Sequence, residues 1–151
     1  MNDSDYIGQF LEFLSEERNI EYKQSTPWLE NEFKAKITKT ILALSNIRDG
    51  GNILIGIREL EGGLYESEGV CDEHYETYTK DEMTSYVSSY ADPYVRFEIY
   101  KSEISSKKFV MIRVYEFDEI PVVCKKDFNS AATIILRKGA TYTRSYGKPQ
   151  T

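Results

Sequence analysis

At 151 residues, with 40% hydrophobic and 13% aromatic side chains, the chain has the length and composition of one packed domain, which excludes a disordered segment. The longest apolar runs, Ile53 to Ile57 and Phe109 to Val114, are too short to cross a bilayer, and the acidic N-terminus lacks the basic and apolar regions of a secretory signal, so a cytoplasmic location is expected. A formal charge of -6 excludes a protein that coats nucleic acid indiscriminately, because sequence-independent affinity needs Lys and Arg to neutralise phosphates.

Tyr6, Phe10, Phe13 and Leu14 recur at helical spacing, which predicts a first short helix over residues 4–15 with Asp3 or Ser4 as its cap. Residues 19–23 read as a brief strand. On an extended chain Glu21 and Lys23 share one face while Tyr22 turns into the core. Ser25-Thr26-Pro27 offers a cap and a proline at the first position of a longer helix, whose apolar stripe is Phe33, Ile37, Ile41 and Leu44 and which ends near Asn46. Asp49-Gly50-Gly51 supplies the positive-φ residues of a tight turn, and residues 52–58 form an apolar strand with Glu59 at its end. From there the Glu59 side chain can leave the sheet and meet the pair of Glu21 and Lys23.

Gly62-Gly63 marks a turn, and the polar, aperiodic stretch 66–78 reads as a surface loop. Thr79-Lys80-Asp81-Glu82 has capping-box spacing and opens a helix that stops before Pro93. Residues 94–101 and 107–115 alternate as strands around Ser105-Ser106, which predicts an antiparallel hairpin. A strand at 133–137 precedes Lys138-Gly139, and 140–144 read as an edge segment before a frayed tail. With no repeat or linker, the expectation is a single α+β domain over residues 1–151: two layers, a mixed and mostly antiparallel sheet with helices packed on one side.

Some motifs carry little chemistry. Cys71 and Cys124 are too few for a disulfide framework and are expected as free thiols. Cys71-x-x-His74 lacks a second ligand pair at zinc spacing, and nothing near His74 in sequence supports a Ser-His or Cys-His nucleophile. Glycines 50, 51 and 56 fit neither phosphate-loop pattern and read as turns.

The cations are more suggestive. Residues 1–100 hold 9 basic and 20 acidic side chains, whereas residues 101–151 hold 10 and 5. On charge alone that basic end reads first as ordinary solvated charge or as one of two complementary faces in an oligomer, and second as a surface that holds a polyanion beside an acidic metal site. Lys36 and Lys39 lie three apart on one helix face, and Arg137, Lys138 and Arg144 gather around the late glycine turn. Tyr142 and Tyr146 interleave with them, as rings that stack on unpaired bases do beside cations that meet phosphates. A solvated edge with scattered tyrosines is the plain alternative.

The order Glu16-x4-Glu21-Tyr22-Lys23, a helix ending in Ser45-Asn46, then Gly50-Gly51-x-Ile53-Leu54-Ile55-Gly56-Ile57 resembles the Schlafen-type AlbA-like (AlbA_2) domain family. Asp92-Pro93 before the hairpin, the strand Phe109 to Val114, Pro121-Val122 and Ile135-Leu136-Arg137-Lys138-Gly139-Ala140-Thr141 extend that likeness over about residues 10–145. The resemblance implies a nucleic-acid-associated domain and, in the Schlafen branch, a metal-dependent endoribonuclease acting on structured RNA such as tRNA. Its acidic trio falls on Glu16, Glu21 and Glu59, the last standing where the family usually has aspartate. Those carboxylates would hold Mg²⁺ or Mn²⁺ to activate a water, and Lys23 would stabilise the developing oxyanion. Schlafen enzymes pair two such lobes, so a homodimer or a partner lobe is expected. Two other readings stand beside the enzyme: a non-catalytic DNA- or RNA-binding module held by Arg137, Lys138 and Arg144, and an oligomeric interaction subunit of a larger assembly, such as a bacterial defence complex.

Overall fold

A computed structural model of the chain describes residues 2–131 and 133–145. Ten strands and four α-helices follow in the order α1 (Asp3–Leu11), β1 (Ile20–Lys23), α2 (Asn31–Ser45), β2 (Gly51–Ile55), β3 (Ile57–Glu59), β4 (Tyr65–Ser67), α3 (Asp72–Tyr75), α4 (Lys80–Ser88), β5 (Ala91–Asp92), β6 (Phe97–Ile104), β7 (Lys107–Val114), β8 (Val123–Cys124), β9 (Phe128–Ser130) and β10 (Thr133–Leu136). The main sheet has the order β1-β2-β7-β6, with β1 and β2 parallel and the remaining pairs antiparallel. It is the mixed, mostly antiparallel sheet that the strand pattern predicts.

Period-2 alternation assigns each sheet residue to a face. On one face Ile53, Ile55, Val110 and Ile112 meet Ile37, Ile41 and Leu44 of α2 and Met83 and Val87 of α4, all buried. Helices α2 and α4 therefore occupy one side, and the i, i+4, i+7 stripe of α2 is what places it there. On the other face Leu54, Met111 and Phe109 pack with Ile7, so the short α1 caps the far side with Tyr6 and Phe10 at its margin. Two-stranded ribbons, β3 with β4, β5 with β8 and β9 with β10, extend the frame.

Several local expectations give way to tertiary contacts. The long helix begins at Asn31 and not at Pro27, with Glu30 as a cap that makes no side-chain bond. Trp28 is the cause: its indole is buried, its backbone N–H donates to Thr77 Oγ1, and the Tyr78 hydroxyl donates to the Thr26 carbonyl, which together hold residues 26–28 outside the helix. Thr79 caps α4 without the side-chain bond of a capping box. The strand expected over 52–58 breaks at Gly56, whose φ of 117° turns the chain out of the main sheet so that β3 pairs with β4. The stretch 66–78 is accordingly not one loop, since it contains most of β4 and all of α3. Residues 140–144 form no edge strand either. They run beneath the end of α2, where the Asn46 side-chain amide donates to the carbonyls of Val122 and Tyr142. Both cysteines are free thiols, as expected, and among the described residues no helix is long and apolar enough to cross a membrane.

Candidate acidic pocket and basic surface

The parallel pairing of β1 with β2 places Glu21 opposite Ile53 and Tyr22 opposite Leu54. Glu21 and Lys23 accordingly share one side of β1, and Tyr22 turns to the opposite side, where it packs beside Leu54, Met111 and Phe109. This close pairing depends on Gly51: a Cβ there would run into the Asn19 carbonyl and come within 2.6 Å of Leu44 Cδ2. The Tyr22 hydroxyl donates to the Ser15 carbonyl at 3.1 Å and accepts from the Ser15 N–H at 3.2 Å, which anchors the loop carrying Glu16. Glu59 ends β3 directly opposite Tyr65 of β4, and the Tyr65 ring lies 4.8 Å from that of Tyr22.

These contacts bring the three glutamates to one place. Glu16, Glu21 and Glu59 line a pocket of about 110 Å³ together with Ile20, Tyr22, Tyr65 and Arg144. The Tyr65 phenol registers all three: burial raises its pKa first, and the charges of Glu59, Glu16 and Glu21 add to the rise. Glu21 is the most enclosed carboxylate, and cations hold both its oxygens. Arg144 Nη2 donates to Oε1 at 3.0 Å, and Lys23 Nζ stands 3.4 Å from Oε2. Arg144 is itself 4% exposed, and its Nε and Nη1 are buried without a hydrogen-bond partner.

This donor set does not fit the metal that the resemblance implies. Among the described residues no group of three or more His, Cys, Asp or Glu side chains is arranged to hold a metal ion. The carboxylates share a pocket, yet the central one is already neutralised by two side-chain cations. Spacing along the sequence could point to Glu21, Lys23 and Glu59, but it carried no signal that Arg144, more than 120 residues away, or Tyr65 would complete the pocket.

The other predicted cations separate from Arg144. Lys36 on α2, Arg137 and Lys138 are exposed, and Lys39 is half-buried. Lys39 Nζ lies 5.0 Å from the ring centroid of Tyr142, whose hydroxyl accepts from the Arg137 N–H at 2.9 Å. Burial pulls the Lys39 ammonium below its usual pKa range. Lys138 is positioned by its backbone N–H, which donates to Asp127 Oδ1 at 2.6 Å. Packing of α2 against β10 is what unites the two segments. Tyr142 thus joins Lys39 of α2 to the turn that carries Arg137 and Lys138, with Lys36 three residues before Lys39 on the same helix, whereas Tyr146 falls outside the described residues.

One further pairing was not foreseen. Ser25 Oγ lies 2.8 Å from His74 Nδ1 and accepts the Cys71 N–H at 3.0 Å. The contact ties the loop after β1 to α3.

Residues 16–145 match the family model described as Schlafen, AlbA_2. A comparison with curated proteins returns no match. Among solved structures, the chain is similar to the N-terminal domain of a RecG-related protein from Nitrosomonas europaea, with 19% identity, a TM-score of 0.59, and coverage of 93% of this chain and 90% of that one. At that identity the likeness speaks to the fold. A protein from Corynebacterium diphtheriae aligns over 78% of this chain and 21% of its own, at 14% identity and a TM-score of 0.49.

Proposed function

The chain belongs to the Schlafen AlbA_2 family, and on that premise we propose that it is a nucleic-acid-binding module that holds phosphates with Lys36, Lys39, Arg137 and Lys138. The observation that supports this reading is the Tyr142 ring, which meets the Lys39 ammonium on one side and holds the Arg137 backbone through its hydroxyl, so that basic segments distant in sequence meet at one aromatic residue. Cations set against an aromatic face suit a nucleic acid with unpaired bases, because the ring stacks on a base while the charges meet the backbone. RNA is the nucleic acid proposed. The net charge of -6 confines attraction to that local surface and opposes indiscriminate coating.

Nuclear magnetic resonance mapping with an RNA hairpin tests the proposal. Amide shifts should concentrate at residues 36–39 and 137–142, and shifts confined to α1 or to the β6–β7 turn would overturn it.

A second reading, a metal-dependent endoribonuclease, draws support from the placement of Glu16, Glu21, Glu59 and Tyr65 around one pocket with Lys23 beside it. Against it stands the engagement of both Glu21 oxygens by Arg144 and Lys23. Incubation of a tRNA pool with Mn²⁺ separates the two readings. Cleavage by the protein that is lost in Glu21→Gln would replace the binding module with an enzyme. The paired lobes of Schlafen enzymes make a homodimer or a partner lobe part of the same proposal, and light scattering reads it as a mass of twice 17.5 kDa or as 17.5 kDa alone.

A further inference from the structure

We propose that Arg144 is the resident cation of the acidic pocket: its guanidinium takes the coordinating capacity of Glu21 and thereby excludes a divalent metal ion from Glu16, Glu21 and Glu59. Three carboxylates facing one space of about 110 Å³ form an attractive field for a cation, and each repels the others unless one arrives. The chain supplies that cation itself. Arg144 is 4% exposed and reaches Glu21 Oε1 at 3.0 Å, while Lys23 occupies the neighbourhood of Oε2 at 3.4 Å. A metal ion seeking Glu21 would have to compete with both.

The remaining donors of Arg144 are less well served than the one that meets Glu21. Of its nitrogens only Nη2 has partners, Glu21 and a 3.5 Å contact to the Ile20 carbonyl, whereas Nε and Nη1 are enclosed and unbonded. A buried charged group with unmet donors is held less firmly than a fully bonded one. It also sits on residues 140–144, a segment without regular structure that is fastened through the Asn46 contact to the Tyr142 carbonyl. Withdrawal of the guanidinium would leave Glu21 with Lys23 as its ion-pair partner among the described residues and would open the pocket to an ion that prefers oxygen ligands, Mg²⁺ or Mn²⁺. The poor fit of the present donor set to a metal and the presence of a buried arginine are then one fact: the pocket already holds its counter-charge.

Mn²⁺ alone is the probe, so the outcome is independent of RNA affinity. Calorimetric titration of the full chain should show at least a tenfold gain in Mn²⁺ affinity for Arg144→Gln over the unsubstituted protein, and the gain should vanish in Arg144→Gln/Glu21→Gln. A folded Arg144→Gln, judged by circular dichroism, that binds no better than the parent would overturn the proposal. Should that variant fail to fold, paramagnetic broadening in the parent decides. Selective loss of the Glu21, Glu59 and Tyr65 amide signals at low Mn²⁺ would mean that the ion enters despite Arg144 and would refute exclusion. Uniform, weak broadening is the result expected.

Discussion

Glu21 is the residue at which structure and chemistry meet most closely, because its side chain is both the centre of the acidic trio and the partner of a buried arginine. Its replacement by Gln leaves the Arg144 charge enclosed and uncompensated, the situation in which breaking a buried pair costs most. We expect Glu21→Gln to lower the unfolding free energy by about 2–4 kcal/mol in urea titrations, and a loss within experimental error of zero would show that the pair contributes nothing to the fold. Gly51 makes a different demand. Its lack of a Cβ lets β1 and β2 approach with the Asn52 N–H donating to the Asn19 carbonyl at 2.9 Å. Gly51→Ala should therefore cost about 1–3 kcal/mol through overpacking, read by the same titration, and should disturb the position of Glu21 two residues from Asn19.

Elements with their own local signals were legible in the sequence. The hairpin of β6 and β7 is one case: two segments with enough alternation to read as strands and a polar dipeptide between them located it, and Ser105 and Ser106 have φ of 52° and 69° in the two-residue loop. Positive φ at both central positions favours Asn-Gly over Ser-Ser. The double substitution Ser105→Asn/Ser106→Gly should raise the thermal midpoint, with a stability gain of about 1 kcal/mol; an unchanged or lower midpoint would contradict the turn assignment. The stripe of α2 was equally plain, as was the placement of Glu21 and Lys23 on one side of β1. What stayed hidden required knowledge of distant partners. Thr26 and Pro27 form a sound helix start by local rules, yet burial of Trp28 against Thr77 and Tyr78 overrides them. The short strands β4 and β9 are too brief for periodicity to register. Arg144 looked like one more surface cation beside Arg137 and Lys138, and no local pattern distinguishes a solvated arginine from one that folds back onto a glutamate 123 positions away.

At the scale of the molecule, the acidic pocket and the exposed cations of the proposed binding surface lie apart. The carboxylates of Glu16, Glu21 and Glu59 line a pocket with Arg144, and Lys39 of α2 meets the Tyr142 ring beside the turn that carries the exposed Arg137 and Lys138. Membership of the Schlafen AlbA_2 family fixes the frame in which both stand, while the chemistry of each follows from which side chains are already satisfied. An acidic protein with one basic surface should bind nucleic acid weakly overall and with strong dependence on ionic strength. Fluorescence anisotropy of a labelled RNA hairpin across a salt series measures that dependence directly. The account predicts that log K falls linearly with log salt at a slope near -0.7 for each single-strand phosphate held, roughly -3 for four cations, and that Lys36→Gln/Arg137→Gln/Lys138→Gln flattens the slope toward a third of that value or less while the fold persists. A salt-independent affinity, or a triple variant that binds with the slope of the parent, would contradict it.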